Sequence, residues 1–315
     1  MGKRILSAVS RTQGNNEALK SGAIMLPDFE LQFEEVNPLP RAFRRMVREG
    51  AYDVSEMALT TYIAAKAYGA KITAIPVFLV RDFHHKSMVV STASTLAGPK
   101  DLEGRRVGVK RGFTVTTGVW ARAILAEEHG VDLGQITWAR SDDEHVADWR
   151  LPANVEDLTG TGSLEEQLAN GTLDAAVGLA SGDGTRPLVP DAFDAGMAGL
   201  KGRGFYPINH LVVVRDDVLA EAPDLAGQLF DAFAASKQIY LDDLSASRIA
   251  EPTAIDRVHL AVQQVMADPL PYGIEPNRVV LENIMSHVVA QGIIDAPIPL
   301  ETLFTPGTLD RVSVM

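Results

Sequence analysis

The chain contains no cysteine, which removes disulfides, thiolate nucleophiles, zinc–cysteine sites and iron–sulfur clusters from consideration. It has no uninterrupted apolar run of about 18 residues, so no transmembrane helix is expected. The apolar start Ile5–Val9 is broken at once by Arg11, Gln13, Asn15 and Asn16, too short for a signal peptide. A cytoplasmic protein with no membrane partner is the expectation. Positive charge is scarce: 29 Lys and Arg face 41 Asp and Glu, a net −12. That balance argues against a nucleic-acid partner, while a single cationic pocket can still hold a small anion. Several signatures are missing as well. No G-x-x-x-x-G-K-[ST] loop, no G-x-G-x-x-G between strand and helix, no H-E-x-x-H and no G-x-S-x-G elbow occurs.

What is present is an ordinary globular composition, 46% hydrophobic and 22% charged over 315 residues, long enough for about two domains. Strand-like and helix-like segments alternate, as in parallel sheets covered by helices. Strands are expected near residues 4–9, 30–36, 53–56, 72–78, 86–92, 105–110, 136–139, 173–178 and 209–214. Helices are expected near 13–21, 40–49, 60–67, 116–129, 164–169, 224–243, 253–266 and 277–291, and residues 181–190 read as an irregular loop. The segments 86–92 and 209–214 bracket the second α/β run. The expected architecture is therefore α/β and two-lobed, with residues 1–87 and 210–315 forming one discontinuous lobe and 88–209 inserted as the other. Two crossover strands act as hinges in this reading, with mixed sheets flanked by helices and a ligand cleft between the lobes.

Four stretches carry the candidate chemistry. The first runs from Val107 to Arg122, a strand entering a Gly/Thr-rich turn and then a helix. Helix N–H groups, the hydroxyls of Thr114, Thr116 and Thr117, and the charges of Lys110 and Arg111 suit a carboxylate. The plain alternative is a helix cap. The second is Arg81-Asp-Phe-His84-His85-Lys86, where cations and imidazoles crowd a crossover; a solvated basic loop has the same letters. The third is Glu56, placed between a short strand and a helix, as a general acid/base or an orienter of histidine, against a plain helix-start carboxylate. The fourth is His210, in Phe205-Tyr-Pro-Ile-Asn-His-Leu at the partner crossover, facing the His84/His85 segment in this reading. His129, His145, His259 and His287 read as surface or helix residues, and Asp142-Asp-Glu-His145 as a solvated loop. No metal-ligand spacing is present, so no metal site is assigned.

Several of these runs resemble one family. Asp53-Val-Ser-Glu-Met-Ala-Leu, the Phe83-His-His85 segment, Thr116–Leu125 with its Val-Trp120-Ala-Arg core, Tyr206-Pro-Ile-Asn-His-Leu-Val-Val-Val-Arg215 and Pro271-Tyr-Gly-Ile-Glu-Pro-Asn-Arg278 are similar to the 4,5-dihydroxyphthalate decarboxylase-like family. That family belongs to the type II periplasmic-binding-protein superfamily. The resemblance implies the two-lobed fold and a non-oxidative decarboxylation of a hydroxylated aromatic carboxylate with no organic cofactor; the sequence leaves the need for a divalent metal open. It also implies aromatic-compound catabolism. Carried onto this sequence, His85 or His210 moves the proton and Glu56 orients or relays. Arg81, His84, Arg111, Thr114, Thr116, Thr117 and Trp120 line the substrate. The chain departs from the family pattern at His84 and at Gly112-Phe113-Thr114, which leaves the identity of the aromatic acid open. The partner expected is a small aromatic carboxylate, with a homo-oligomer favoured weakly. The rival reading is a non-catalytic solute-binding protein for such an acid, of the ABC-transporter type.

Overall fold

The computed structural model describes residues 2–313. Among the described residues eleven strands run in chain order: β1 Arg4–Val9, β2 Phe29–Glu34, β3 Val54–Ala58, β4 Ile72–Arg81, β5 Met88–Ser91, β6 Arg106–Val109, β7 Thr137–Arg140, β8 Val155–Asp157, β9 Ala175–Val177, β10 Thr185–Pro187 and β11 Ile208–Arg215. They form two sheets, one of order β2-β1-β3-β11-β4 and one of order β10-β5-β9-β6-β7-β8.

The chain divides into two compact units. Unit 1 holds residues 1–81, 208–282 and 298–315, and unit 2 holds 82–207 and 283–297. This departs from the boundaries expected at 87/88 and 209/210 in three ways, the smallest being that residues 208–209 fall in unit 1. Residues 82–87 belong to the second unit, because His84–Ser87 form a 3-10 turn rather than the start of a strand. The crossing strand is β4, whose last residue Arg81 pairs with Ile208 of β11. In addition, residues 283–297, from within the helix Arg278–Ala290 onward, pack with unit 2.

In unit 1, β1 is parallel to β2 and β3, while β11 runs antiparallel between β3 and β4. Every residue of β3 is buried, as expected for a central strand covered on both faces. In unit 2, β6 lies parallel to β7 and β9, and the antiparallel β5 and β10 close one edge. The stretch read as an irregular loop thus contains a short edge strand, β10, held by β5. The helix Thr116–His129 follows β6 at its expected bounds and ends on Gly130 in the left-handed conformation, where glycine carries no Cβ penalty. Among the described residues no helix is long and apolar enough to cross a membrane.

Candidate functional site

Glu56 lies inside β3, not at its end as expected. Its position follows from register. Val212 of β11 stands opposite Glu56, and His210 is two residues along on the same face, a diagonal neighbour within reach. On the other side Val9 of β1 pairs with Ser55, which brings the next residue, Ser10, alongside Glu56. The pairing of β11 with β4 is irregular on both sides of His210, the kind of distortion that re-aims a side chain.

The side chains meet accordingly. His210 Nδ1–H donates to Glu56 Oε1 at 2.6 Å. Glu56 Oε2 accepts from Ser10 Oγ at 2.8 Å and from the Arg11 backbone N–H at 2.9 Å. Ser10 Oγ in turn accepts from Asn16 Nδ2 at 2.8 Å, and the same amide donates to Arg11 O at 2.9 Å. Phe43 stands edge-on to the imidazole, with ring centroids 5.2 Å apart. Burying a carboxylate alone is costly; here three donors satisfy it. Burial pushes the Glu56 carboxyl up, but the His210 hydrogen bond and charge, with Ser10 and Arg11, outweigh it and hold the group below the usual carboxylate range. The Glu56 side chain is sealed from solvent, whereas the imidazole keeps 19% exposure. Nδ1 is committed to Glu56, so Nε2 is the nitrogen left for chemistry. Sequence reasoning singled out Glu56 and His210 but missed Ser10, Arg11 and Asn16. Their signal was available: the end of β1, where a strand meets a helix, is the same kind of position that drew notice to Glu56.

The other expected residues are placed differently. His85 sits in the second unit, buried, with Nε2 2.7 Å from Glu128 Oε2. Its Nδ1 is buried without a hydrogen-bond partner, and Glu128 also accepts from Arg203 at 2.8 Å. His84 is buried in the same turn, so the solvated-loop alternative fails for both histidines. Arg81 ends β4 and donates to Asn277 Oδ1 and to Pro271 O, the latter at 3.2 Å. Asn277 spans the same loop through Pro271 O and Gly273 O. The Pro271–Arg278 motif is thereby a packed loop anchored on Arg81. Nearby Lys237 is wholly buried and donates to Asp268 Oδ2 at 2.6 Å and to Leu270 O at 3.0 Å.

The turn before the helix Thr116–His129 is already filled by a carboxylate of this chain. Glu144 accepts from the Phe113 N–H at 2.6 Å, the Thr114 N–H at 3.1 Å and Thr114 Oγ1 at 2.7 Å. A Cβ on Gly112 would lie 2.4 Å from Glu144 Oε2, so glycine is what lets the carboxylate in. The turn does bind a carboxylate, but an internal one, and the expected solvated loop at residues 142–145 is buried at Glu144 and His145. Behind it Arg122 is fully buried, its guanidinium 3.7 Å from the centre of the Phe113 ring. Arg122 donates to Phe113 O at 2.6 Å and to Gln291 Oε1 at 2.7 Å; burial pushes its pKa down to about 9 against the opposing charge of Glu144. Thr116 and Trp120 are buried in the helix, Thr117 is half-buried, and Arg111 is exposed with a left-handed backbone (φ 70°).

Comparison with known proteins places this geometry in context. No family model matches the chain. A 4,5-dihydroxyphthalate decarboxylase of Comamonas testosteroni is 28% identical over 321 residues, covering 92% of this chain and 94% of that protein. A 4,5-dihydroxyphthalate decarboxylase of Pseudomonas putida is 32% identical over 185 residues, covering 54% of this chain and 68% of that protein. Among solved structures, the periplasmic aliphatic sulphonate binding protein SsuA of Escherichia coli matches with a TM-score of 0.53 at 11% identity, over 98% of this chain and 99% of that one. The desulfurization enzyme DSZB, in complex with biphenyl-2-sulfinic acid, matches with a TM-score of 0.54 at 15% identity over 98% of each chain. At such identities these structures speak for the fold alone. The chain belongs to the 4,5-dihydroxyphthalate decarboxylase family, a family of carboxy-lyases, and is built on the type II periplasmic-binding-protein fold.

Proposed function

We propose that the protein removes CO2 from a hydroxylated aromatic carboxylate, 4,5-dihydroxyphthalate or a close relative, at the Glu56–His210 pair of unit 1. The observation that carries this reading is a buried, triply hydrogen-bonded carboxylate that fixes one ring nitrogen of a solvent-accessible histidine. In that arrangement the carboxylate sets the tautomer and stabilises the imidazolium, and Nε2 exchanges the proton.

The chemistry is balanced with one proton. A ring hydroxyl raises electron density at the carbon bearing the departing carboxylate. The His210 imidazolium gives its Nε2 proton to that carbon, so a C–H bond forms. The C–C bond to the carboxylate then breaks, its electron pair restores the aromatic ring, and CO2 leaves. Water returns a proton to the imidazole. The ring itself takes up the electron pair, so no organic cofactor is required in this scheme. The family membership supports decarboxylation over simple binding, while the fold, shared with a sulphonate-binding protein, is compatible with either reading.

The deciding experiment incubates the purified protein, with and without EDTA, with 4,5-dihydroxyphthalate and a panel of hydroxylated benzoates while CO2 release is followed. Turnover in both arms is expected. Turnover lost only with EDTA would bring in a divalent ion, and tight binding with no CO2 from any compound would replace the enzyme reading by the receptor reading.

A further inference from the structure

Arg11 follows Ser10 at the end of β1, and its backbone is pinned on both sides. Its N–H donates to Glu56 and its carbonyl accepts from Asn16. The side chain, in contrast, is exposed, and its guanidinium makes no hydrogen bond or ion pair among the described residues. Exposed arginines elsewhere in unit 1 are commonly paired, as Arg4 with Glu221, Arg45 with Glu34 and Arg248 with Asp243. Arg11 is thus a rigidly mounted, uncommitted cation whose charge is felt at Glu56. In a chain of net charge −12, an anionic ligand needs such a local positive field to approach a buried carboxylate at all.

We infer that Arg11 is a specificity-determining residue that grips the non-departing carboxylate of a vicinal aromatic dicarboxylate, an inference that rests on the decarboxylase reading of the same site. The choice of carboxylate follows from charge. The departing group loses its negative charge as CO2 forms, so an ion pair to it would stabilise the ground state more than the transition state. The carboxylate that stays keeps its charge throughout, so pairing it with Arg11 strengthens binding without opposing the reaction. Arg11 thereby separates substrates with two adjacent carboxylates from those with one.

The test compares phthalate and benzoate as ligands, neither of which carries the ring hydroxyls needed for turnover. Calorimetric titration of the native protein, Arg11→Lys and Arg11→Gln is run beside CO2 release from 4,5-dihydroxyphthalate, with melting curves to confirm the fold. The native protein is expected to prefer phthalate, with Arg11→Gln weakening phthalate about 10–100-fold, leaving benzoate unchanged and Arg11→Lys falling between. KM for 4,5-dihydroxyphthalate should rise in step while kcat holds. A phthalate preference that survives in Arg11→Gln, or is missing from the native protein, overturns the inference. Intact, Arg11-dependent phthalate preference with no CO2 released would strike the decarboxylase reading alone.

Discussion

Glu56–His210 in unit 1 and Glu128–His85 in unit 2 are both short carboxylate–imidazole pairs, at 2.6 and 2.7 Å. Both carboxyls are held below the usual range: burial raises each, and the histidine partner outweighs it, aided at Glu128 by Arg203. Distance and titration therefore do not separate them, but exposure does. In the first pair the carboxylate is sealed, at 0%, and the histidine open, at 19%. In the second the order is reversed, with His85 at 5% and Glu128 at 25%. A proton-transfer site must hide the orienting group and present the imidazole. A pair that hides the imidazole and shares its carboxylate with Arg203 ties a turn to a helix. On the proposed reading the same two residue types serve chemistry in one place and packing in the other.

The sharpest way to break this contrast is to remove each imidazole. His210→Asn is expected to lower turnover by about 10²–10⁴-fold while phthalate still binds. His85→Asn is expected to leave turnover intact and to lower the melting temperature. The opposite pattern in steady-state kinetics would transfer the proton-handling role to His85. Next in size is Glu56→Gln, which keeps the shape but removes the charge that sets the tautomer; turnover should fall by roughly 10²-fold or more. The same variant tests linkage. Because folding depresses the Glu56 pKa, its carboxylate contributes stability that is present above the ordinary carboxylate range. That contribution is lost as pH falls through the depressed native value. Urea unfolding across pH 3–7 should show a steeper acid loss in the native protein than in Glu56→Gln; identical slopes would mean that Glu56 does not titrate as an isolated buried acid. Smaller again is Glu128→Gln, expected to cost about 1–3 kcal/mol in the same assay with kinetics unchanged.

The strand–helix alternation and most helix spans were legible because the α/β pattern is strong and helix ends carry glycine, as at Gly50 and Gly130. What could not be read was anything set by register. Glu56 and His210 stood out separately, but only the opposition of Val212 and Glu56, with an irregular pairing around His210, joins them. The turn at His84–Ser87 overlaps the start of the segment read as a strand at 86–92, so the two histidines sit in a buried turn and not beside a strand end. The second-unit turn was read incompletely for a different reason. A cluster of donors and cations predicts a carboxylate, and one is present, but Glu144 comes from 30 residues further along the chain than Thr114, a pairing that local pattern does not contain.

That internal carboxylate gives the smallest and most discriminating test. Thr114→Val removes one of the donors to Glu144 without changing side-chain shape, and two backbone N–H bonds remain. If the turn is structural, the variant costs about 1 kcal/mol of stability, visible as a shift of a few degrees in melting, because one hydrogen bond to a charged acceptor is lost. Phthalate affinity and CO2 release should then be unchanged. If the turn instead receives substrate after Glu144 withdraws, the result inverts: stability holds while ligand affinity falls several-fold. Pairing Thr114→Val with Glu144→Gln separates the cases, since in the structural case the two stability losses are coupled through one shared hydrogen bond and fall short of their sum. Additive losses in stability, with ligand affinity reduced by Thr114→Val alone, would return Thr114 to the substrate site from which Glu144 displaces it here.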